Sequence, residues 1–273
     1  MRRLLVCIAL LLMLTQLGAG RSDQIQIHPR YTGPQPQRIG RCQQLQVIDW
    51  VYLPSRGVKL TALVGTQDQP GSQVKFSVDS EPVATATADS QGVARLIIDP
   101  LPPGLHSLQA TCECGPQGDS QTDTGVILVR RTQRPLIAIL IEGVLLKPRP
   151  RASTRDSLTM ADVQPEAQAR VFEYDRQFDV VLFSTTPGCP ALLRKELDEL
   201  LFPKLPIIKL RSSEPQATRE WGGIHLALCV SEEQAAPLLA QGVRVLIVEQ
   251  PHRRMDWDMI YQRMIQMLKA QGQ

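Results

Sequence analysis

The sequence predicts two folded regions of different class: an all-β sandwich followed by an α/β region with a five-stranded parallel sheet. The first prediction rests on short runs of alternating apolar and polar residues, separated by turn sequences, between residues 42 and 131. The second rests on continuous apolar runs separated by amphipathic helical patterns, between residues 132 and 273. With 273 residues, the chain is long enough for each region to bury a core.

The first 41 residues are predicted to lie outside both folded regions. Residues 1–20 combine a basic start, an apolar centre and small residues at the end, which is the pattern of a secretory signal peptide. The apolar run is shorter than the roughly 20 residues that span a bilayer, so we expect cleavage rather than a retained anchor. Residues 21–41 are rich in Gln, Arg and Pro and predict a flexible tether. The mature protein is therefore expected to be extracytoplasmic, either periplasmic or secreted, with no membrane association after cleavage.

The charge of the chain does not indicate a polyanionic partner. The formal net charge is +3, and Arg2 and Arg3 of the signal peptide contribute to it. Without them the charge is about +1, which is too small to predict nucleic-acid binding. The expected partner is a protein or a small ligand whose identity the sequence does not give.

Alternation is clearest in the first region around Val74, Phe76 and Val78, which are separated by polar residues. Turn sequences such as Asp89–Gly92 and Pro102–Gly104 follow at intervals that are typical of a sandwich. The segments "TADSQGVA" (87–94) and "PGLHSLQA" (103–110) resemble strands of bacterial immunoglobulin-like modules. This resemblance implies a spacer or binding unit without catalytic function.

Five cysteines lie outside the signal peptide, and an oxidising compartment makes disulfides between them possible. An odd number leaves at least one thiol unpaired or paired between chains. Cys42 can pair with either member of the Cys112-x-Cys114 pair, and the sequence leaves this choice open. The candidates for disulfide formation are Cys42, Cys112, Cys114, Cys189 and Cys229.

In the second region, apolar runs predict strands at 136–141, 179–184, 206–210, 224–230 and 243–249. Amphipathic patterns predict helices at 165–178, 189–201 and 256–269. We expect Phe172, Leu192 and Met259 on the buried faces of these helices, and Arg194 on an exposed face. In a parallel sheet of this kind, polar function lies beyond the carboxyl ends of the strands.

The order of motifs in this region resembles the core of the haloacid-dehalogenase-like (HAD) hydrolases. The resemblance is carried by "IEGVLL" after the first strand, "VVLFSTTPG" at the second, and "GIHLALCVSEEQAAPLLAQGVRVLIV" around the fourth. It implies a Rossmann-like α/β fold in which the first strand is flanked by the second and the fourth. In the family, one Asp after the first strand attacks phosphorus, a second Asp acts as acid and base, and acidic groups hold Mg²⁺.

This sequence departs from the family motif at the position of the nucleophile. Aligning Gly143 with the family glycine puts Leu140 at the nucleophile and Glu142 at the acid/base position. Moving Glu142 to the nucleophile position instead loses the glycine match and puts Val144 at the acid/base position. In either register only one carboxylate remains, so we expect a degenerate, non-catalytic relative without a cofactor. The alternative is a residual phosphoesterase that uses Glu142, with Thr185 beside it, and Mg²⁺.

Other family positions yield binding candidates and open alternatives. Ser184 and Thr185 follow the second strand, where hydroxyl and amide groups either hold phosphate or cap the next helix. Lys209 and Arg211 are candidates for the phosphate-binding cation. Glu232 is the candidate metal ligand, or else it lies in the first turn of a helix, where the helix dipole favours acids.

A third hypothesis is thiol chemistry. Cys229 ends the fourth strand and Cys189 precedes the helix after the second, so both sulfur atoms can approach the same cleft. A reactive thiol requires a low pKa, and only Cys189 lies near a predicted helix N-terminus.

Overall fold

A computed structural model describes most of the chain after the predicted tether. The described residues are 45–64, 71–113, 119–147, 157–185, 190–209, 221–248 and 256–270. Among them, no helix is both long enough and apolar enough to cross a membrane.

The first region forms a three-stranded and a five-stranded sheet, whose strands are numbered here in chain order. The smaller sheet has the antiparallel order β1-β3-β6, with β1 at Leu45–Val47, β3 at Val58–Val64 and β6 at Val93–Ile98. The larger sheet has the order β2-β8-β7-β4-β5, and only its β2–β8 pair is parallel. Its strands are β2 (Trp50–Tyr52), β4 (Gln73–Val78), β5 (Glu81–Thr87), β7 (Gly104–Cys112) and β8 (Gln121–Val129).

The two sheets enclose one apolar core, which confirms the predicted β-sandwich. Val74, Phe76 and Val78 point into this core from β4, as their alternation predicts, and Leu60 and Leu108 meet them from β3 and β7. The intervening residues of β4 are exposed or partly exposed. A strand with one apolar and one polar face is what a sheet covered on one side requires.

The second region contains the predicted five-stranded parallel sheet, in the order β11-β10-β9-β12-β13. The first strand of this region along the chain, β9, is central and lies between the second and the fourth. The strands are β9 (Leu136–Leu140), β10 (Asp179–Ser184), β11 (Ile207–Lys209), β12 (Leu226–Cys229) and β13 (Val245–Ile247). The helices are α1 (Ala167–Gln177), α2 (Pro190–Glu199), α3 (Glu232–Leu239) and α4 (Trp257–Lys269).

In each of three helices, one residue that we expect on the buried face is exposed. Phe172, Leu192 and Met259 are 46%, 55% and 48% exposed, although their spacing predicts burial. In α1 the buried face is formed by Ala167, Val171 and Tyr174. Arg194 is the opposite case, since it is only 6% exposed although we expected it to face solvent. The reason is a buried acidic partner that belongs to the sandwich.

The sandwich and the parallel sheet share apolar packing. Val51 and Leu128 of the larger sandwich sheet belong to the same buried cluster as the parallel strands. The indole rings of Trp50 and Trp221 meet edge to face, with centroids 5.7 Å apart. Gly222 lies close to the sandwich, since an added Cβ would lie 2.7 Å from the side chain of Leu53. Its positive φ of +76° also favours glycine. One face of the larger sandwich sheet therefore packs against the core of the α/β region, while the sandwich keeps a separate core between its two sheets.

Buried charges join the same two regions. The Asp49 carboxylate, which is fully buried, accepts hydrogen bonds from the backbone of Val126 and of Ile207, each at 2.8 Å. It also pairs with the Arg194 guanidinium at 2.7 Å, and Arg194 donates to the Thr124 carbonyl group. Burial disfavours the charged Arg194 side chain, but the attraction of Asp49 raises its pKa. We call Asp49, Arg194 and nearby Asp123 the Asp49 cluster.

A second set of charges lies where the chain passes from β8 to β9. The buried Asp179 carboxylate accepts hydrogen bonds from the Arg131 backbone at 2.8 Å and from its guanidinium at 3.2 Å. Arg130 donates to the carbonyl groups of Trp221 at 2.8 Å and Arg134 at 3.1 Å. Arg130 and Arg131, which join the two regions, are therefore held against the α/β region by hydrogen bonds.

Candidate functional site

The candidate site lies at the carboxyl end of β9, where the chain makes a single tight turn over Ile141–Leu145. Gly143 within this turn has φ +94°, and an added Cβ would lie 2.5 Å from a methyl group of Val230. Only glycine fits both the left-handed conformation and this close approach. Leu140, at the position that the family resemblance assigns to the nucleophile, is 1% exposed and packs in the core.

The Glu142 side chain turns toward the end of the neighbouring strand β10. One carboxylate oxygen accepts a hydrogen bond from the Ser184 hydroxyl group. The other accepts from the Thr185 backbone N–H at 3.0 Å and from the Thr185 hydroxyl group at 3.4 Å. Ser184 is buried, whereas Thr185 is exposed. We call Glu142, Ser184 and Thr185 the strand-end cluster.

Two glutamine side chains hold the backbone of the turn. Gln164 Nε2 donates to the Gly143 carbonyl group at 3.3 Å, and Gln234 Nε2 lies 3.5 Å from the Glu142 carbonyl group. The side-chain oxygen of Gln234 accepts from the Val230 backbone at 3.3 Å, so this side chain links β12 to the turn. The hydrogen bonds to the backbone of the turn and those that the carboxylate accepts together fix the direction of the Glu142 side chain.

Of the remaining predicted phosphate and metal ligands, those that the structure describes do not form a metal centre with Glu142. Lys209 is the register partner of Ser184 on β11 and is partly buried. Glu232 lies exposed in the first turn of α3, which Ser231 caps by accepting from the Gln234 backbone. Arg211 lies outside the described residues. Among the described residues, no group of three His, Cys, Asp or Glu side chains could hold a metal ion.

The described residues at this edge do not fit a Mg²⁺-dependent phosphoryl-transfer site. Magnesium prefers nearly octahedral oxygen coordination that includes one or two carboxylates and the phosphate. Here Leu140 offers no oxygen, and both oxygens of Glu142 already accept hydrogen bonds from β10. The described residues of this edge instead hold the Glu142 carboxylate by three hydrogen bonds.

The described cysteines do not support thiol chemistry. Cys229, at the end of β12, is fully buried, and burial raises the pKa of its thiol to about 11. A thiol with a raised pKa is a poor nucleophile. Cys112 is buried on β7. The other disulfide candidates, Cys42, Cys114 and Cys189, lie outside the described residues.

Sequence reasoning missed the Asp49 cluster and the contacts of Glu142. For Asp49 a signal was available, because it is a lone acid within the otherwise apolar run "VIDWVY" at 47–52. A buried carboxylate needs a partner, so such a residue predicts an ion pair. The partner, Arg194, lies 145 positions away, and nothing in the local pattern of α2 indicates it.

Comparison with known proteins gives no family. No family model matches the chain, and no curated protein matches it. The fibronectin(III)-like modules of Clostridium thermocellum CbhA share 18% identity over 32% of this chain and 96% of their own, with a TM-score of 0.25. Bacteroides ovatus SGBP-B, solved with a mixed-linkage heptasaccharide, shares 15% identity over 40% of this chain and 26% of its own, with a TM-score of 0.23. The Eisenbergiella tayi GH2 β-galacturonidase shares 10% identity over 67% of this chain and 40% of its own, with a TM-score of 0.28.

Proposed function

We propose that this chain is an extracytoplasmic, non-catalytic protein that acts in binding or as a structural module. In this proposal, a signal peptide (1–20) and a tether (21–41) precede an immunoglobulin-like sandwich (42–131). The remainder (132–273) is a degenerate HAD-like region, a pseudoenzyme that keeps the family's sheet without its phosphoryl-transfer chemistry. Its partner is a protein or a small ligand, and no cofactor takes part.

The order of the parallel strands supports the HAD-like part of the proposal. The resemblance predicts that the first strand lies between the second and the fourth, and β9 lies between β10 and β12. The turn after β9, with Gly143 at positive φ, lies where the family glycine is expected. The family's reactive positions then fall at Leu140 and Glu142.

The observation that carries the proposal is the engagement of the Glu142 carboxylate by Ser184 and Thr185. These hydroxyl and amide groups are the donors that a phosphate would require, and an anionic side chain already occupies them. Two unit charges 4 Å apart repel by about 4 kcal/mol at an effective dielectric constant of 20. A repulsion of that size cancels the roughly 4 kcal/mol that corresponds to millimolar affinity. The strand-end cluster therefore disfavours a phosphate ester as a ligand.

The packing between the two regions supports a structural or binding role for the chain as a whole. The Asp49 cluster, and the packing of Val51 and Leu128 into the α/β core, fix the sandwich against the α/β region. A catalytic domain on a spacer requires no such fixation, whereas a rigid unit presents one continuous surface to a partner.

The test is hydrolysis of a panel of phosphate esters by the purified chain, with and without Mg²⁺. We expect no turnover above buffer for the wild type or for Glu142→Gln. The matched control is Glu233→Gln, because Glu233 is an exposed acid on the neighbouring helix α3. Mg²⁺-dependent turnover that disappears in Glu142→Gln and persists in Glu233→Gln would overturn the proposal and establish the phosphoesterase alternative.

Glu142 also has a measurable structural role in this proposal. Glu142→Ala removes the acceptor of the buried Ser184 hydroxyl group and of the Thr185 N–H group. Thr185 is exposed, so its donors can bond water instead, and the cost comes mainly from the buried Ser184 hydroxyl group. Losing the acceptor of one buried donor costs about 1–3 kcal/mol, so we expect a loss of that size in the free energy of unfolding. Unchanged stability in urea unfolding would show that the carboxylate is not held as described.

A further inference from the structure

The contact between the sandwich and the α/β region contains more acidic than basic side chains. Within the Asp49 cluster, the Arg194 guanidinium lies 2.7 Å from the Asp49 carboxylate and 3.9 Å from the Asp123 carboxylate. The side chains of Asp49, Asp123 and Arg194 are 0%, 9% and 7% exposed. Asp198, on the same helix as Arg194, adds a further negative charge near the guanidinium. A buried charge is costly unless it is paired, and here one guanidinium faces two buried carboxylates.

Arg194 is held by Asp49 and not by Asp123. The Asp49 carboxylate accepts hydrogen bonds from the backbones of Val126 and Ile207 and from the guanidinium itself. Gly125 leaves room for this carboxylate, because an added Cβ would lie 2.7 Å from Asp49 Oδ1. Hydrogen bonds between charged groups at such short distances are the strong ones. The Asp123 carboxylate is therefore the second, weakly paired acid of the cluster.

The surroundings of Asp123 favour its neutral form. One of its oxygens accepts from the Val47 backbone N–H at 2.7 Å, whereas the other lies 3.9 Å from Arg194. Burial raises the pKa of the Asp123 carboxyl group, and the Val47 N–H, the Arg194 charge and the Thr124 backbone lower it by less. The negative charge of Asp49 raises this pKa further. With 9% of its side chain exposed, Asp123 can exchange a proton with solvent.

We propose that Asp123 makes the contact between the sandwich and the α/β region responsive to acid: when its carboxylate takes up a proton, Asp49 remains as the buried partner of Arg194 and the contact is strengthened. The proton comes from solvent and adds to a carboxylate oxygen. Because the folded state then binds more protons than the unfolded state, a fall in pH stabilises the folded state through this group. A carboxylate that is fully paired in the folded state has the opposite effect, since its protonation destabilises the folded state.

The first measurement follows the protonation of Asp123 in the folded wild type by NMR. The Val47 backbone N–H donates to Asp123, so its ¹H and ¹⁵N chemical shifts should titrate with this carboxyl group. Over a range from about pH 7 to about pH 3, we expect a midpoint above 3.8, the ordinary value for Asp. The same transition should be missing from the Val47 signal in Asp123→Asn. A midpoint at or below 3.8 would overturn the proposal.

The second measurement compares the urea midpoints of wild type and Asp123→Asn at about pH 7 and about pH 4. Asparagine keeps an acceptor for the Val47 N–H group but does not titrate. We therefore expect the wild type to gain stability relative to the variant as the pH falls. The control is Asp119→Asn, at an exposed position before β8, whose difference from the wild type should be the same at both pH values.

Two results of the urea experiment would overturn the proposal. A difference between Asp123→Asn and wild type that does not change with pH would show that Asp123 has only a structural role. A wild type that loses stability relative to the variant as the pH falls would show that Asp123 is an ordinary ion-pair partner of Arg194.

Discussion

Replacing Asp49 by Ala should destabilise the protein more than any exposed charge change. Asp49 accepts three hydrogen bonds, from Arg194 at 2.7 Å and from the Val126 and Ile207 backbones at 2.8 Å each. Its side chain is fully buried, and that of Arg194 is 7% exposed. The substitution therefore leaves the Val126 and Ile207 N–H groups without this acceptor and removes the 2.7 Å ion pair of the buried Arg194, which keeps only the Thr124 carbonyl group and the Asp123 carboxylate at 3.9 Å.

The expected cost follows from these contacts. Removing one partner of a buried ion pair costs about 3–5 kcal/mol. Domains unfold with a free energy of about 5–15 kcal/mol, so Asp49→Ala should remove a large share of the total. Arg194→Met should cost less, because Asp49 keeps its two backbone donors.

The assay is urea unfolding followed by tryptophan fluorescence. Trp50 and Trp221 report on the packing between the sandwich and the α/β region, since their rings are in contact. The wild type should unfold in one transition, because buried apolar contacts and the Asp49 cluster join the two regions. In Asp49→Ala we expect a lower midpoint, or two separate transitions if the regions come apart first.

The matched control is Lys195→Ala, next to Arg194 on the same helix. Lys195 is 70% exposed and reaches Glu199 only at 4.0 Å, and such surface pairs contribute at most about 0.5–1 kcal/mol. If Asp49→Ala is no more destabilising than Lys195→Ala, the argument that buried charge fixes the two regions together is wrong.

Three further predictions concern single residues. Gly143→Ala should lower the free energy of unfolding by at least about 1–2 kcal/mol because of its positive φ, and the added Cβ should also clash with Val230. The control Gly223→Ala, at φ +81° with open space around it, should show only the cost of the positive φ in urea unfolding. With a pKa of about 11, only about one Cys229 thiol in a thousand is ionised at pH 8. Mass spectrometry after iodoacetamide treatment should therefore find Cys229 unmodified in the native protein and modified in urea. The pKa of His225 lies below 6.5 because of burial and two nearby guanidinium groups, so the folded state binds fewer protons than the unfolded state below that pH. Stability should therefore fall as the pH drops below 6.5, and His225→Gln should make the fall shallower in pH-dependent unfolding; an unchanged slope would contradict this reasoning.

The sequence predicts well those elements whose pattern is set by local burial. The alternation of Val74, Phe76 and Val78 predicts the face that β4 presents to the core, and the apolar run 179–184 coincides with β10. The HAD resemblance predicts the first strand between the second and the fourth, and β9 lies between β10 and β12. These features depend on residues near each other in the chain, or on a topology that many sequences share.

Helix faces and partners are predicted less well because distant residues determine them. In α2, helical spacing favours burial of Leu192, yet Arg194 is buried in order to reach Asp49. The acid at the end of β9 is evident from the sequence, but its partners are not. Ser184 and Thr185 were expected to hold phosphate or cap a helix, and they bind Glu142.

The most direct test of the proposed lack of catalysis is a crystal structure of the protein grown with Mg²⁺ and orthovanadate. We expect the Glu142 carboxylate to remain on Ser184 and Thr185, with neither metal nor vanadate beside Leu140. A magnesium ion coordinated by Glu142 and a second acid such as Glu232, or vanadate bonded to a side chain at this edge, would contradict the account.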